Sequence, residues 1–426
     1  MLKLKLLKTN RIKQINFRFN KFIIALLILS IFAVSSGKLQ TINEKFSNKI
    51  IKAELKEVSI NEHAKLEIAG KGEDQIQVLT VWGTAYEMGK AHGSLFKKEI
   101  EHLQNMMKLM LEAGGQSVEL LDALYEQAKP YIPDYFIEEM QGISDGSGLS
   151  LRNIIRINLI GEAAEFHCSL FGAWGKATAE DGHLYQLRSL DYETSMNIQK
   201  YPLIVIYVPD EGNIFANIGY AGVIGSFSGI NKEQLAISEI GYDRSTDEIT
   251  YQGIPFTFLL RDVLQFDKSL DEATNRIKTA KRTTRLLYGI GDGKSGQLRG
   301  FRTSSTRCNT YSPENLEPVT ESHKRISDIV YWGMTWDYPE YDSPLHDKLV
   351  EHYGKINAEV TINDILPSVK TGDLQTVVYD LTEMKIWVAN ARADHESGPL
   401  PAYSRKFVEF DMNAIFNRAK SLRGHK

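Results

Sequence analysis

The amino-acid sequence predicts an α+β fold in which helices come first and antiparallel strands follow. Two observations carry this. Apolar residues keep helical spacing up to residue 164, and from residue 168 onward short alternating runs are separated by glycine turns. Alternation marks strands with one buried face, which is the habit of antiparallel rather than parallel sheets.

Taken in order, Met1 to Lys21 carries Lys3, Lys5, Lys8, Arg11, Lys13, Arg18 and Lys21 and no acid, followed by an apolar run over 22–34 and the small residues Ser35, Ser36 and Gly37. This is the pattern of a signal peptide over 1–36. Its apolar run is shorter than the roughly 20 residues that span a bilayer, so cleavage is expected and the mature chain is expected to be secreted or lysosomal. Residues 38–72 are rich in Lys and Glu and read as an exposed lead-in, and 75–81 (QIQVLTV) as a short strand. Thr84 is placed to cap a helix with Glu87 at the capping-box position, and Met88, His92, Leu95, Phe96, Ile100, Leu103, Met107 and Leu111 continue one helical face. Further helices are expected over 120–129, 135–143 and 151–164, so the segment 37–167 is read as mainly helical. Strands are expected over 184–190, 203–208, 214–218, 223–228 and 235–240, helices over 256–265 and 270–280, and strands again over 285–290, 297–302, 377–380 and 385–389, with Asp292-Gly293 as a turn.

The chain has 426 residues, 42% hydrophobic and 24% charged, with a formal net charge of -4. That balance gives no nucleic-acid footprint. The histidines lack metal-ligand spacing and no HExxH or paired CxxC occurs, so neither a metal nor another cofactor is expected. With two cysteines, Cys168 and Cys308, the fold is no disulfide scaffold, and whether the two pair is left open.

Cys168 sits at the seam between the helical and strand-rich halves. Read alone it is a small buried hydrophobe or half of a bridge. The stretch that follows reads as a hairpin with Asp181-Gly182 at its tip. Strict pairing sets Cys168 opposite Ser195; a bulge at Gly172 and Gly175 brings it opposite Asp191 with Arg188 close by, so that thiol, guanidinium and carboxylate converge. An ordinary cross-strand ion pair is the plain alternative for Arg188 and Asp191.

Cys168, Ala177-Thr178, Asp181-Gly182 and Arg188-Ser189-Leu190-Asp191 together resemble the choloylglycine-hydrolase and acid-ceramidase type of N-terminal-nucleophile hydrolase, in its peptidase C45 acyltransferase-like branch. Tyr86 to Gly93 resembles the glycine-rich start of that branch's first helix, Gly222 to Ser238 its central hairpin, and Thr376 to Asn390 its closing strands. The resemblance implies a four-layer αββα fold in which 168–426 is the catalytic portion and Cys168 opens a central strand. It implies a chain that cuts itself between His167 and Cys168, with Cys168 as nucleophile and Arg188 and Asp191 as partners of its amine and thiol. An α-amine can act as local base for a thiol of similar pKa, so no histidine is required.

The family's oxyanion asparagine has no counterpart in Ile237-Ser238-Glu239-Ile240-Gly241, and its Thr-Asn-aromatic element reads Thr335-Trp336-Asp337; Glu239, Trp336 and Asp337 are therefore the candidates for substrate or oxyanion contact. The implied substrate is a small acyl amide or N-acyl lipid, with a lipid surface and the chain's own N-terminal fragment as further partners. The aromatic run Tyr331 to Pro339 is a candidate acyl-pocket wall. Two other readings stand beside this one: a phospholipase-B-like hydrolase, and a secreted binding protein that keeps the fold without turnover.

Overall fold

The computed structural model describes residues 49–163, 167–179, 181–192, 194, 197–242, 245–333, 339–392 and 399–422. The expected signal peptide and the Trp336 and Asp337 candidates lie outside them. Residues 50–426 form one compact unit.

Two sheets face each other at its centre. The seven-stranded sheet runs β1 (Ile50–Lys52), β17 (Phe407–Asp411), β16 (Lys385–Asn390), β15 (Gln375–Asp380), β6 (Tyr185–Asp191), β5 (His167–Ala173), β14 (Ile329–Trp332). The ten-stranded sheet runs β13 (Cys308–Tyr311), β12 (Gln297–Thr303), β11 (Leu286–Asp292), β10 (Leu235–Gly241), β9 (Gly229–Asn231), β8 (Phe215–Tyr220), β7 (Pro202–Pro209), β4 (Ile76–Gly83), β3 (Ala64–Ala69), β2 (Lys56–Ile60). Neighbours are antiparallel except β1 with β17 and β4 with β7, which are parallel. Helices α1 (Ala85–Leu95), α2 (Lys97–Ala113), α3 (Glu119–Ala128), α4 (Asp134–Ser147), α5 (Leu151–Ala163), α6 (Phe256–Phe266) and α7 (Leu270–Thr279) build the layer beyond the ten-stranded sheet, with α1 on β4, α6 on β9 and β10, and α7 on β11. Helix α8 (Pro339–Glu351) and the helical turns over 358–369 lie beyond the seven-stranded sheet, and α9 (Met412–Leu422) runs against β16, β17 and β7. The expected αββα order of layers is the observed one.

The capping box forms as expected: the Thr84 side chain accepts from the Glu87 N–H and the Glu87 carboxylate accepts from the Thr84 N–H. Helices α1 and α4 cross at backbone contact through Gly89 and Gly93 on one and Gly142 and Gly146 on the other. A Cβ added at Gly89 would lie 2.1 Å from the Glu139 carbonyl oxygen, and one at Gly142 would lie 2.2 Å from that of Tyr86. The glycines of the motif at 86–93 therefore serve helix packing.

Several expectations are corrected. The 37–167 segment is helical over most of its described residues, but besides the strand expected at 75–81 it supplies β1 to one sheet and β2 and β3 to the other, where an exposed lead-in was expected. The charge-rich lead-in was misleading because β2 is an edge strand, where charged residues are tolerated and discourage further pairing; Lys65 on β3 bridges Glu57 and Glu67. The single long helix expected from Met88 to Leu111 breaks at Phe96, which leaves helical geometry while staying buried. Residues 223–228 are a loop rather than a strand. Strand β5 is interior but one position from the edge, with only β14 beyond it. Cys168 and Cys308 are both free.

Candidate active site

Strand β6 carries Gln186, Arg188, Ser189 and Asp191, all of them buried. Polar groups withdrawn from water cost free energy unless they are paired, so such a strand marks a site rather than a scaffold. Its partner is β5, and the register sets His167 opposite Asp191, Cys168 opposite Leu190 and Leu170 opposite Arg188. The register expected from the hairpin is thus one residue out. Side chains alternate across a sheet, so Cys168, Leu190 and Arg188 share the inner face while Asp191, Ser189 and Ser169 share the outer one.

On the inner face the thiol meets a residue of the opposite sheet. The Cys168 Sγ lies 4.0 Å from Glu239 Oε1 on β10, and Arg188 Nη2 donates to that same oxygen. All three residues are wholly excluded from solvent. Arg188 Nε and Nη1, Glu239 Oε2 and the Tyr220 hydroxyl have no hydrogen-bond partner among the described residues. Burial pushes the Cys168 thiol well above its ordinary value; the Arg188 charge opposes that rise, and the Glu239 and Asp191 charges add to it. In the intact chain the thiol is therefore protonated. The Glu239 carboxyl is also raised by burial, against the pull of Arg188.

On the outer face the Asp191 carboxylate accepts from Thr371 Oγ1 at 2.7 Å, Gly372 N at 2.7 Å and Asp373 N at 2.9 Å. Thr371 also reaches Ser169 and Ser189. Burial nevertheless raises Asp191 to about 6. Guanidinium and carboxylate thus flank β5 from opposite faces, Arg188 on the side of the thiol and Asp191 beside the His167–Cys168 backbone. The expectation that all three side chains converge on one face is corrected: Arg188 does, Glu239 joins it, and Asp191 does not. The Thr371–Asp373 anchor was missed, although Thr-Gly-Asp is a turn signature before β15.

An apolar cavity of about 70 Å³ opens beside this cluster. Leu190 and Tyr220 line it, with Leu103, Met107, Met110, Ile157, Val223 and Phe227 among its other walls. Of the aromatic run expected as a wall, residues 334–338 lie outside the described residues. Tyr331 and Trp332 belong to β14 and are buried in the core, where the Trp332 indole donates to the Glu317 carbonyl.

Acids held above their ordinary pKa make stability depend on pH. Glu162 is raised to about 7 and Asp262 and Asp191 to about 6, all by burial. The folded state holds these protons where the unfolded state has released them, so their contribution is full below about pH 4 and is lost as pH rises through 6 and 7. His92, lowered to about 4 by burial, works in the opposite direction below pH 6.5. The balance favours acid: stability should rise by roughly 2 to 4 kcal/mol from pH 8 to pH 5. Thermal unfolding across that range checks this, and a flat or falling Tm on acidification would contradict it.

Two facing sheets between helical layers, with a cysteine on an interior strand and an RxxD pair on the next, are the arrangement of the N-terminal-nucleophile hydrolase fold. No family model matches the chain. Protein dcd1A of Dictyostelium discoideum is 31% identical over 404 residues, covering 84% of this chain and 89% of that protein. The N-acylethanolamine-hydrolyzing acid amidase of Mus musculus is 22% identical, over 40% of this chain and 48% of its own length, and the acid ceramidase of Rattus norvegicus is 23% identical, over 46% and 54%. The chain belongs to the family of dcd1A, and its further homologues include the acid amidase and the acid ceramidase.

Proposed function

We propose that this protein cuts itself before Cys168 and then uses the freed residue to hydrolyse or transfer the acyl group of a linear amide, with an N-acyl lipid as the substrate class. The observation that carries this is the Cys168 thiol held against the Arg188–Glu239 pair while its cross-strand partner Leu190 lines an apolar cavity. In self-cleavage the thiol sulfur bonds to the His167 carbonyl carbon, its proton passes to the departing Cys168 nitrogen, and the C–N bond breaks. Water then hydrolyses the thioester, leaving a carboxylate on His167 and the thiol and α-amine on Cys168. In turnover the same thiol attacks the substrate amide, the amine takes up and returns the proton, and the acyl group leaves to water or to an amine. Asp191, beside the cleaved bond, is the group to orient the new amine. Arg188, whose charge acts on the thiol, has two donors without a partner among the described residues, and these suit the charge that develops on the attacked carbonyl. The names of the acid amidase and acid ceramidase relatives favour an amide over the ester of a phospholipase-B-like enzyme, and agree with residence in an acidic compartment reached through the signal peptide.

Intact-mass measurement of the purified protein after incubation at acid pH tests this. Two chains, the second beginning at Cys168, together with release of fatty acid from an N-acylethanolamine, are expected. A single stable chain that binds the amide without releasing acid would instead establish a binding protein of the same fold.

A further inference from the structure

The cavity beside Cys168 is built from both sides of the proposed cut. Val223 and Phe227 belong to the loop 221–228, whereas Leu103, Met107, Met110 and Ile157 come from α2 and α5. The loop has no strand partners of its own between β8 and β9, so its backbone must be held by other means. From its own side, Asn217 Nδ2 donates to the Gly225 carbonyl at 3.1 Å, Arg261 Nη1 to that of Ile224 at 3.1 Å, and Ser226 N to that of Thr257 at 2.9 Å. On the same side, Ala221 N also donates to the Tyr201 carbonyl at 3.1 Å, Val223 N to that of Tyr220 at 3.1 Å, and Asn217 Nδ2 to that of Val223 at 3.4 Å, and further ties cross from the other piece. Gly222 N donates to His92 Nε2 at 3.0 Å, Ile224 N donates to Asn158 Oδ1 at 2.8 Å, and Asn158 Nδ2 donates to the Gly222 carbonyl at 3.1 Å.

His92 and Asn158 are both buried. Gly222 sits at a φ of +79°, and a Cβ there would lie 2.9 Å from Ile100 of α2, so the loop is seated directly on the helical layer. Burial keeps the His92 ring neutral down to about pH 4, which preserves Nε2 as an acceptor across the acid range.

We infer that His92 and Asn158 are positioning residues that fix the loop 221–228 as one wall of the acyl cavity and thereby set which acyl-chain lengths the enzyme accepts. Neither touches the reacting atoms. The Asn158 amide closes a two-point clamp on Gly222 and Ile224, flanking Val223 of the cavity wall, and His92 holds the same turn from α1. Released from the clamp, the wall keeps only the ties of its own piece and shifts against Met107 and Met110, so the cavity no longer measures chain length.

This rests on the proposed function, so two readouts are needed. In the self-processed enzyme, Asn158→Leu, which keeps the volume and removes the hydrogen bonds, should lower the ratio of kcat/KM for long-chain over short-chain fatty amides about tenfold. An equal loss for every chain length, or an unchanged ratio, overturns the inference. His92→Gln, whose amide oxygen can still accept from Gly222, should keep the wild-type ratio while His92→Leu loses it; this pair covers the case in which Asn158→Leu does not fold. The second readout needs no turnover: in a Cys168→Ala background, the fluorescent fatty acid cis-parinaric acid should bind about tenfold more weakly when Asn158 is also Leu. Equal affinity there overturns the clamp. Wild-type protein that binds this probe but hydrolyses no amide sinks the proposed function and leaves the clamp standing.

Discussion

Cys168→Ala should leave one uncut chain and no release of fatty acid from an N-acylethanolamine at any pH. The thiol is the attacking atom in both steps, and no other described side chain in the cluster can replace it: Arg188 is a permanent cation, Glu239 is bound to it, and Asp191 lies on the far face of the sheet. A loss of at least 10⁴-fold is expected, the scale seen when a catalytic nucleophile is removed. The fold should survive, because losing one sulfur from a well-packed core costs on the order of 1 to 2 kcal/mol. Mass spectrometry and an amidase assay on the same sample check this, and cleavage or turnover by the alanine protein would require another nucleophile. Cys168→Ser should cut slowly, since a hydroxyl is a poorer nucleophile at these pH values.

Glu239→Ala should be the most destabilising single change in the site, by about 3 to 5 kcal/mol, because it strands the Arg188 cation in a place with no water and no other described acceptor. Arg188→Met together with Glu239→Leu removes both charges and should return most of that stability, as replacement of buried ion pairs by apolar residues often does. The double variant should nevertheless be inactive, since the guanidinium that faces the thiol is gone. Denaturant unfolding and the amidase assay separate the two effects. A double variant as active as wild type would make the pair purely structural, and a Glu239→Ala protein of wild-type stability would show that water reaches Arg188.

The comparison of sequence with structure shows which signals are local. Thr84 and Glu87 announce α1 because a capping box is complete within four residues. Arg188 and Asp191 could be picked out because the RxxD spacing after Cys168 resembles the family's motif. The register between β5 and β6 was not legible. Ala173 pairs with Tyr185, so the connection is the whole of 174–184, with a 3₁₀ turn at Gly175–Ala177, and the Asp181-Gly182 turn lies inside it rather than between paired strands. A slip of one residue exchanges the two faces, which is why Asp191 was expected beside the thiol and sits behind it. Glu239 was a candidate only because it lies in the segment where the family's oxyanion asparagine is missing; its pairing with Arg188 is made between sheets, beyond any spacing rule. The cavity walls were equally hidden, because Met107 and Met110 read as the apolar stripe of an ordinary helix.

Strands β1 to β4 precede the proposed cut yet are woven into both sheets, β1 beside β17 and β4 beside β7. Cutting the chain therefore changes the molecularity of folding without changing the folded object. Before the cut, loss and recovery of structure are first-order events of one polymer. Afterwards recovery demands that two polymers meet at matched concentration and rebuild two sheets at once. Activation of this kind is a ratchet: the matured enzyme keeps its shape only for as long as it never fully loses it, and its working lifetime is governed by its slowest unfolding step rather than by its equilibrium stability.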